Sequence, residues 1–384
     1  MIRMKVIQRY LAREILLAVG LVLGAFLALY IFFDFINELN DVGKYGYRLE
    51  HAVIFVLLEI PARAYELLPI AALIGTIYAL AQLASRSKFT IMRMSGLSTV
   101  KAARMVLLPG LALVALTYWL GEFVTPSAEE LIQKLRVITT NRPAKGLRTG
   151  VWLKDTVSEP AAEARVRFVN IGEVGANQAL SRVTIYEFDD GLRLLSVLNA
   201  NSGEYVEEGE WRLHQVTETR FASTEGGGAL KTSSAANLPN RITVAKLDER
   251  LWHSQIKPDL LNVMRVPPER MSARSLGEYV KHLKENRQTT GRYEIAYWKK
   301  LIYPVAVLVM MALALPFAYL HARAGGISFK IFAGIMIGIG FYLLNSLFSH
   351  LGVLNTWPPF LSAAFPSIAV LLAAMLALRW VERH

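Results

Sequence analysis

Residues 85–104 read SRSKFTIMRMSGLSTVKAAR, with five cations, no carboxylate, and an apolar run of membrane-spanning length on either side. A helix crosses roughly 30 Å of hydrocarbon with about 20 apolar residues. Six stretches meet that requirement: 15–33, 64–84, 105–124, 301–320, 329–349 and 360–378. Three precede a long polar middle and three follow it, so the sequence predicts six transmembrane helices in a 3+3 arrangement around an insert. Hydrophobic residues make up 53% and charged residues 19%, with mean hydropathy +0.34, which is less charge than a soluble chain of 384 residues carries. The first run is too long for a signal-peptide core and lacks an A-x-A-like site, so it reads as a retained span. The absence of cysteine excludes disulfides, thiolate metal sites and cysteine nucleophiles.

The basic residues set the expected orientation. They gather at Arg3, Lys5, Arg9 and Arg13, at Arg86, Lys88, Arg93, Lys101 and Arg104, at Arg323 and Lys330, and at Arg379 and Arg383. With six spans, all four groups fall on one side. The middle, 126–296, has 24 Lys/Arg against 22 Asp/Glu and is nearly balanced. Both termini are therefore expected in the cytosol and the insert on the extracytoplasmic side of a multi-pass protein. The pI near 9.7 then reports the positive-inside bias and not nucleic-acid binding.

The insert reads as β structure. RVRFVNI (165–171) and RVTIYEF (182–188) alternate apolar and polar residues, Asp190-Gly191 offers a turn into LRLLSV, and Glu208-Gly209 leads into WRLHQVT. Such spacing suits a sandwich, a jelly roll or a curved open sheet. After Pro267-Pro268, Ser275 and Glu278 suggest a capping box, with Leu276, Tyr279, Val280 and Leu283 at helical spacing. The expected organisation is spans one to three in 1–125 with a cytoplasmic helix at 87–98, a β domain in 126–268, and an amphipathic linker helix with spans four to six in 269–384.

No motif for catalysis is present. The chain has no GxxxxGK[ST] to cradle phosphates and no HExxH, and its seven histidines are scattered, with His214 and His253 read as structural. Energy for transport must come from a partner or an ion gradient. In 85–104, Ser87 can cap a short helix bearing Phe89, Ile91, Met92 and Met94, closed by Gly96. A helix of two turns is marginal alone. It either docks on a partner protein or rests on lipid headgroups.

ALAQLASRSKFTIMRMSGLS (79–98) resembles the cytoplasmic coupling segment of the lipopolysaccharide-export permeases, the LptF/LptG family. Further matching stretches are YELLPIAALIGTIYALA before it, GEFVTP closing span three, GVWLKD opening the insert, and GRYEIAYWKKLIYPVAVLVMMALALPF into span four. YWKKLIYP and LALPF resemble the G branch more than the F branch. The resemblance implies a periplasmic β-jellyroll and an LptF-like permease partner. It also implies two copies of an LptB-like cytosolic ATPase, an LptC-like bitopic subunit, and lipopolysaccharide as cargo. No cofactor is then expected in this chain, ATP and magnesium being bound by the ATPase, whose contact falls on Ser87, Lys88, Phe89, Ile91, Met92, Arg93 and Gly96. Two departures stand out: Lys88 where relatives often have glutamate, and the acidic end of span one, FDFINELNDVGKYG, with Asp34, Glu38 and Asp41.

Charges within or beside the spans are the candidate lipid-contacting groups: Asp34, Glu59, Arg63, Glu66, Glu122, Lys299 and Lys300. Glu59, Arg63 and Glu66 stand at i, i+4 and i+7 and share a helix face. They either snorkel to the headgroups or line a polar cavity for phosphates and sugars. Gly334 and Gly338 in span five have GxxxG spacing and are candidates for contact with the second permease. The expected function is that of a non-catalytic permease subunit of an ABC-type lipopolysaccharide exporter, passing lipid to a β-jellyroll bridge. The alternative is a membrane-anchored assembly or sensor protein whose β domain binds a partner without moving lipid. An ion-coupled transporter would need matched broken helices, which the spans lack.

Overall fold

The computed structural model describes residues 2–44, 46–85, 99–140, 150–157, 165–175, 179–189, 191–207, 209–221, 242–254, 256, 258, 261, 266–285, 288–319, 326–354 and 357–383. The expected cytoplasmic helix at 87–98, with Ser87, Lys88, Phe89, Ile91, Met92, Arg93 and Gly96, lies outside the described residues. Six described helices are long and apolar enough to cross a membrane, one on each predicted run.

Helices α1 (Ile2–Leu39) and α2 (Leu49–Ser85) extend several turns beyond their apolar stretches. Span three is composite. Helix α3 (Thr99–Trp119) passes through a π-helical turn, Leu120–Val124, into α4 (Thr125–Thr140). The cause is Pro126, whose ring would press on the Glu122 carbonyl four residues back in a regular helix. The wider turn avoids that clash, with Thr125 N–H reaching back to the Leu120 carbonyl. Residues 126–140, expected as the start of the β domain, are therefore helical, and Ile132 is buried. Two compact units result: Met1–Ile132 with Val266–Lys284 and Thr289–His384, and Gln133–Arg265 with Glu285–Gln288.

In the helical unit, 78% of the apolar window of span two and 61% of that of span four are buried, against 17% for span one and 22% for span five. Spans two and four are thus its centre. Ile15, Val19, Leu68, Ala72, Leu80, Val307 and Met311 interlock there. Such packing replaces the hydrophobic effect as the driving force between helices in lipid. A Cβ on Gly75 would lie 2.6 Å from the Val19 backbone, so α1 and α2 touch main chain to main chain. After the insert come α5 (Ala273–Glu285), α6 (Gly291–Ala314), α7 (Pro316–Tyr319), α8 (Ile327–Leu354) and α9 (Pro359–Arg383).

The second unit holds strands β1 (Val151–Val157), β2 (Arg165–Val174), β3 (Leu180–Phe188), β4 (Leu194–Tyr205), β5 (Glu210–Phe221) and β6 (Ile242–His253). They form one antiparallel sheet in the order β1-β2-β3-β4-β5-β6. The described strands follow one another in a single sheet that curls on itself, Arg167 of β2 reaching the His253 carbonyl of β6 at 3.4 Å, so the expected β domain is present. Its register aligns Leu153, Val169, Ile185 and Leu198 in one row across four strands, and Val151, Ile171, Val183, Ala200 and Val216 in the next. Burying such side chains contributes about 1.5–3 kcal/mol each. The buried face is filled: Trp211, Leu213, Ile256 and Leu261 are fully buried, and Trp211 Nε1 donates to the Ile256 carbonyl at 2.8 Å.

Candidate functional site

The ionisable residues singled out in the spans converge in the helical unit, most of them on one another. Arg63 donates from Nε and Nη2 to the two carboxylate oxygens of Asp34 at 3.0 and 2.9 Å, joining span two to span one. On its own helix it lies 3.4 Å from Glu59 and 3.7 Å from Glu66, as the i, i+4, i+7 spacing requires. Glu59 is shared. Arg270, in the 3-10 turn Pro268–Arg270, reaches it at 3.3 Å and Glu129 of α4 at 2.7 Å. Burial pushes the Arg270 guanidinium down, but the Glu129 and Glu59 carboxylates outweigh that and hold it above its usual value, so it stays charged.

Glu122 plays another part. Its carboxylate accepts the N–H of Ala273 at 2.7 Å and of Arg274 at 3.3 Å, capping the N-terminus of α5 from the π-turn of span three. The helix's own N-cap is Ser272, whose Oγ accepts the Ser275 N–H at 3.0 Å. The cap is therefore one turn earlier than the Ser275/Glu278 pair suggested, and Glu278 turns out to Arg274 at 3.2 Å. Gly121 lets span three approach: a Cβ there would sit 2.5 Å from the Tyr65 ring.

Lys300 is 5% exposed. Its ammonium lies over the Tyr65 ring, 4.7 Å from the centroid, and 3.5 Å from the Glu269 carbonyl. Lys299, about 100° round the helix, is half-buried and makes no ion pair or hydrogen bond among the described residues. Tyr303, one turn on, donates to the Glu66 carbonyl at 2.6 Å and packs on Tyr65, with ring centroids 5.0 Å apart.

The arrangement changes the expected chemistry. Arg63 was a candidate phosphate ligand, but its fork is occupied by Asp34. Around it Asp34, Glu59, Glu66, Glu122 and Glu129 outnumber Arg63, Arg270 and Lys300. Among the three cations nominated from the sequence, Lys299 is the one that makes no close ion pair, hydrogen bond or ring contact among the described residues, with Glu269 and Glu66 as its nearby charges. Sequence reasoning missed Arg270 and Glu129, which fall in the turn after Pro267-Pro268 and in the stretch expected to open the β domain. It also placed Lys330 in a basic turn, whereas Lys330 is 3% exposed with its ammonium 3.3 Å from the Phe317 carbonyl.

Gly334 and Gly338 do not face outward. A Cβ on Gly334 would meet Ile77 Cδ1 at 2.8 Å and one on Gly338 would meet Ile70 Cγ2 at 2.9 Å. Span two of the same chain fills that groove, which corrects their assignment to a partner interface. The small residues are needed because span two is the crowded centre of the unit.

The family model described as lipopolysaccharide export system permease LptF/LptG matches residues 9–380. The chain is 29% identical over 372 residues to the lipopolysaccharide export system permease protein LptG of Escherichia coli K12, covering 96% of this chain and 97% of that protein. It is 31% identical over 364 residues to the protein of the same name from Haemophilus influenzae, covering 94% and 95%.

Proposed function

Since the chain belongs to the LptF/LptG family of lipopolysaccharide export permeases, we propose that it forms, with an LptF-like permease, the path by which lipopolysaccharide leaves the inner membrane. The chain is a multi-pass permease subunit with an inserted β domain. The remaining assignments are our reading. Both termini and 85–104 face the cytoplasm, supported by the four clusters of Lys and Arg. Two copies of an LptB-like ATPase, which bind ATP and magnesium, dock on Phe89 and Met92. An LptC-like subunit receives the lipid.

The observation that carries this reading is the match along 9–380, which takes in both sets of spans and the insert together. Of the cations nominated in the spans, Lys299 is the one not engaged in a close ion pair among the described residues, whereas Arg63 becomes available to a lipid phosphate on release of Asp34.

Affinity purification of the tagged chain from native membranes tests the proposal. A stoichiometric ATPase and bound lipopolysaccharide should co-elute. Met92→Asp should lose the ATPase while leaving the spans inserted, and Lys88→Glu should weaken the same association. Absence of any ATPase from the wild-type complex would favour the sensor reading instead.

A further inference from the structure

Span one is held in two different ways along its length. Leu11, Ile15, Ala18 and Val19 are fully buried, Val19 against the backbone at Gly75. From residue 20 to residue 39 no side chain is fully buried. Gly20 and Gly24, at the start of that second half, have open space where a side chain would be, so packing does not require them. Glycine inside a helix weakens it by loosening the backbone.

Val22 and Leu23 still pack against the core, and beyond them a polar stripe with one residue per turn ties span one to its neighbours. Tyr30 presents its ring to the Arg63 guanidinium at 5.2 Å, Asp34 takes the same guanidinium through two hydrogen bonds, and Glu38 accepts the Tyr47 hydroxyl at 2.7 Å. The first two share a single target on span two. A guanidinium binds a carboxylate or a phosphate through the same planar fork, one at a time. Glu59 cannot take over that fork from Asp34 unopposed, because Arg270 also draws it away at 3.3 Å.

We propose that the Asp34–Arg63 pair is a latch on the second half of span one, opened when the phosphate of an anionic lipid replaces Asp34 on Arg63. The inference rests on the lipid-export reading and adds a consequence of opposite sign: removing an acidic residue should increase lipid capture. With Asp34 gone, Arg63 meets phosphate against only Glu59 and Glu66 of its own helix, and residues 25–39 swing about the Gly20–Gly24 segment.

The chain has no cysteine, so spin labels on cysteines placed at Ile36 and Leu57, both exposed, report the separation of spans one and two in the full complex. The complex is placed in bilayers of phosphatidylcholine alone, with phosphatidylglycerol, or with lipopolysaccharide, and a photoreactive residue at Leu29 records lipid contact. The wild type should be closed in phosphatidylcholine and partly open with lipopolysaccharide. Asp34→Asn should be open in all three and capture lipopolysaccharide on the order of tenfold more, as expected for loss of a charged competitor. Tyr30→Leu should open partway. Arg63→Gln should be open and capture no more than background. Opening by phosphatidylglycerol equal to that by lipopolysaccharide would support the latch with any anionic headgroup as its key. If Asp34→Asn matches the wild type in distance and capture while the wild-type complex exports lipid, the latch is wrong and the export reading stands. If the wild-type complex neither binds nor exports lipopolysaccharide, both fall.

Discussion

Glu59 of span two and Glu218 of strand β5 are both poorly exposed carboxylates gripped by two arginines, yet they are built on opposite principles. Glu218 takes Arg220, two residues along its own strand, at 2.8 Å and Arg250, from the neighbouring strand, at 2.7 Å. Arg220 is set by the strand itself, and Arg250 belongs to the next strand of the same sheet, although the ladder pairs it with Leu213 and Glu218 with Ala245. Glu59 takes Arg63 one helical turn away at 3.4 Å and Arg270, 211 residues later in sequence, at 3.3 Å. No backbone ladder imposes the second contact. A carboxylate whose two partners lie on strands of one hydrogen-bonded sheet is held by elements that the ladder keeps together. One shared between elements that meet only by packing can exchange partners when those elements move, which a transport cycle requires.

The sharpest way to break this comparison is to remove the distant partner. Arg270→Met should cost about 3 kcal/mol, because it withdraws the cation from the poorly exposed Glu59 and from Glu129, which is 4% exposed. The melting temperature of the helical unit in detergent should fall by several degrees, and Arg270→Lys should restore part of it. An unchanged melting temperature would mean that the two carboxylates are satisfied by other groups, and the contrast with Glu218 would lose its basis.

The β-unit cluster gives a smaller, pH-marked effect. Burial pushes the Glu218 carboxyl up, but Arg220 and Arg250 outweigh it and hold the group below its usual 4.5. A depressed value in the folded state means the stabilisation is complete above about pH 4.5 and fades as pH falls through the lower folded value. Glu218→Gln should therefore destabilise the β unit by about 1–2 kcal/mol at pH 7, allowing for the exposure of Arg220. The gap between variant and wild type should close in strongly acidic buffer. Urea unfolding followed by tryptophan fluorescence at two pH values measures this. A gap that persists in acid would assign the loss to packing and not to charge.

The same contrast accounts for what could be read from the sequence. The six spans were legible because about 20 consecutive apolar residues suit a membrane-crossing helix and little else, and the strands because a two-residue period is local. Glu59–Arg63–Glu66 was legible for the same reason, being three positions on one helix face. The bond from Arg63 to Asp34 and those from Arg270 to Glu59 and Glu129 were not, since each depends on how separate elements pack. Gly334 and Gly338 show the limit of a motif: GxxxG correctly marks a close helix approach, but it does not say whether the neighbour is another chain or, as here, Ile70 and Ile77 of span two. The helix over 126–140 was missed because Pro126 reads as a helix terminator, whereas the π-turn before it lets the helix continue.

The finest test concerns Glu122, a third kind of carboxylate, satisfied by backbone and not by arginine. It accepts the N–H groups of Ala273 and Arg274 at the start of α5, beside the Ser272 cap. Glu122→Gln keeps one acceptor oxygen but loses the charge opposite the helix N-terminus, an interaction worth about 0.3–1 kcal/mol. Glu122→Ala loses the acceptor too and should cost about 1 kcal/mol, as for a lost cap. Neither change should unfold the protein, because Ser272 still serves Ser275. The effect should be local: hydrogen exchange at Ala273 and Arg274 should quicken about two- to fivefold in Glu122→Gln and more in Glu122→Ala. Exchange at Leu283, further along α5, should be unaltered. If the amides of 273 and 274 exchange at the wild-type rate in Glu122→Ala, the contact between the π-turn and α5 carries no weight, and partner exchange around Glu59 would be left as the distinctive use of carboxylates in the helical unit.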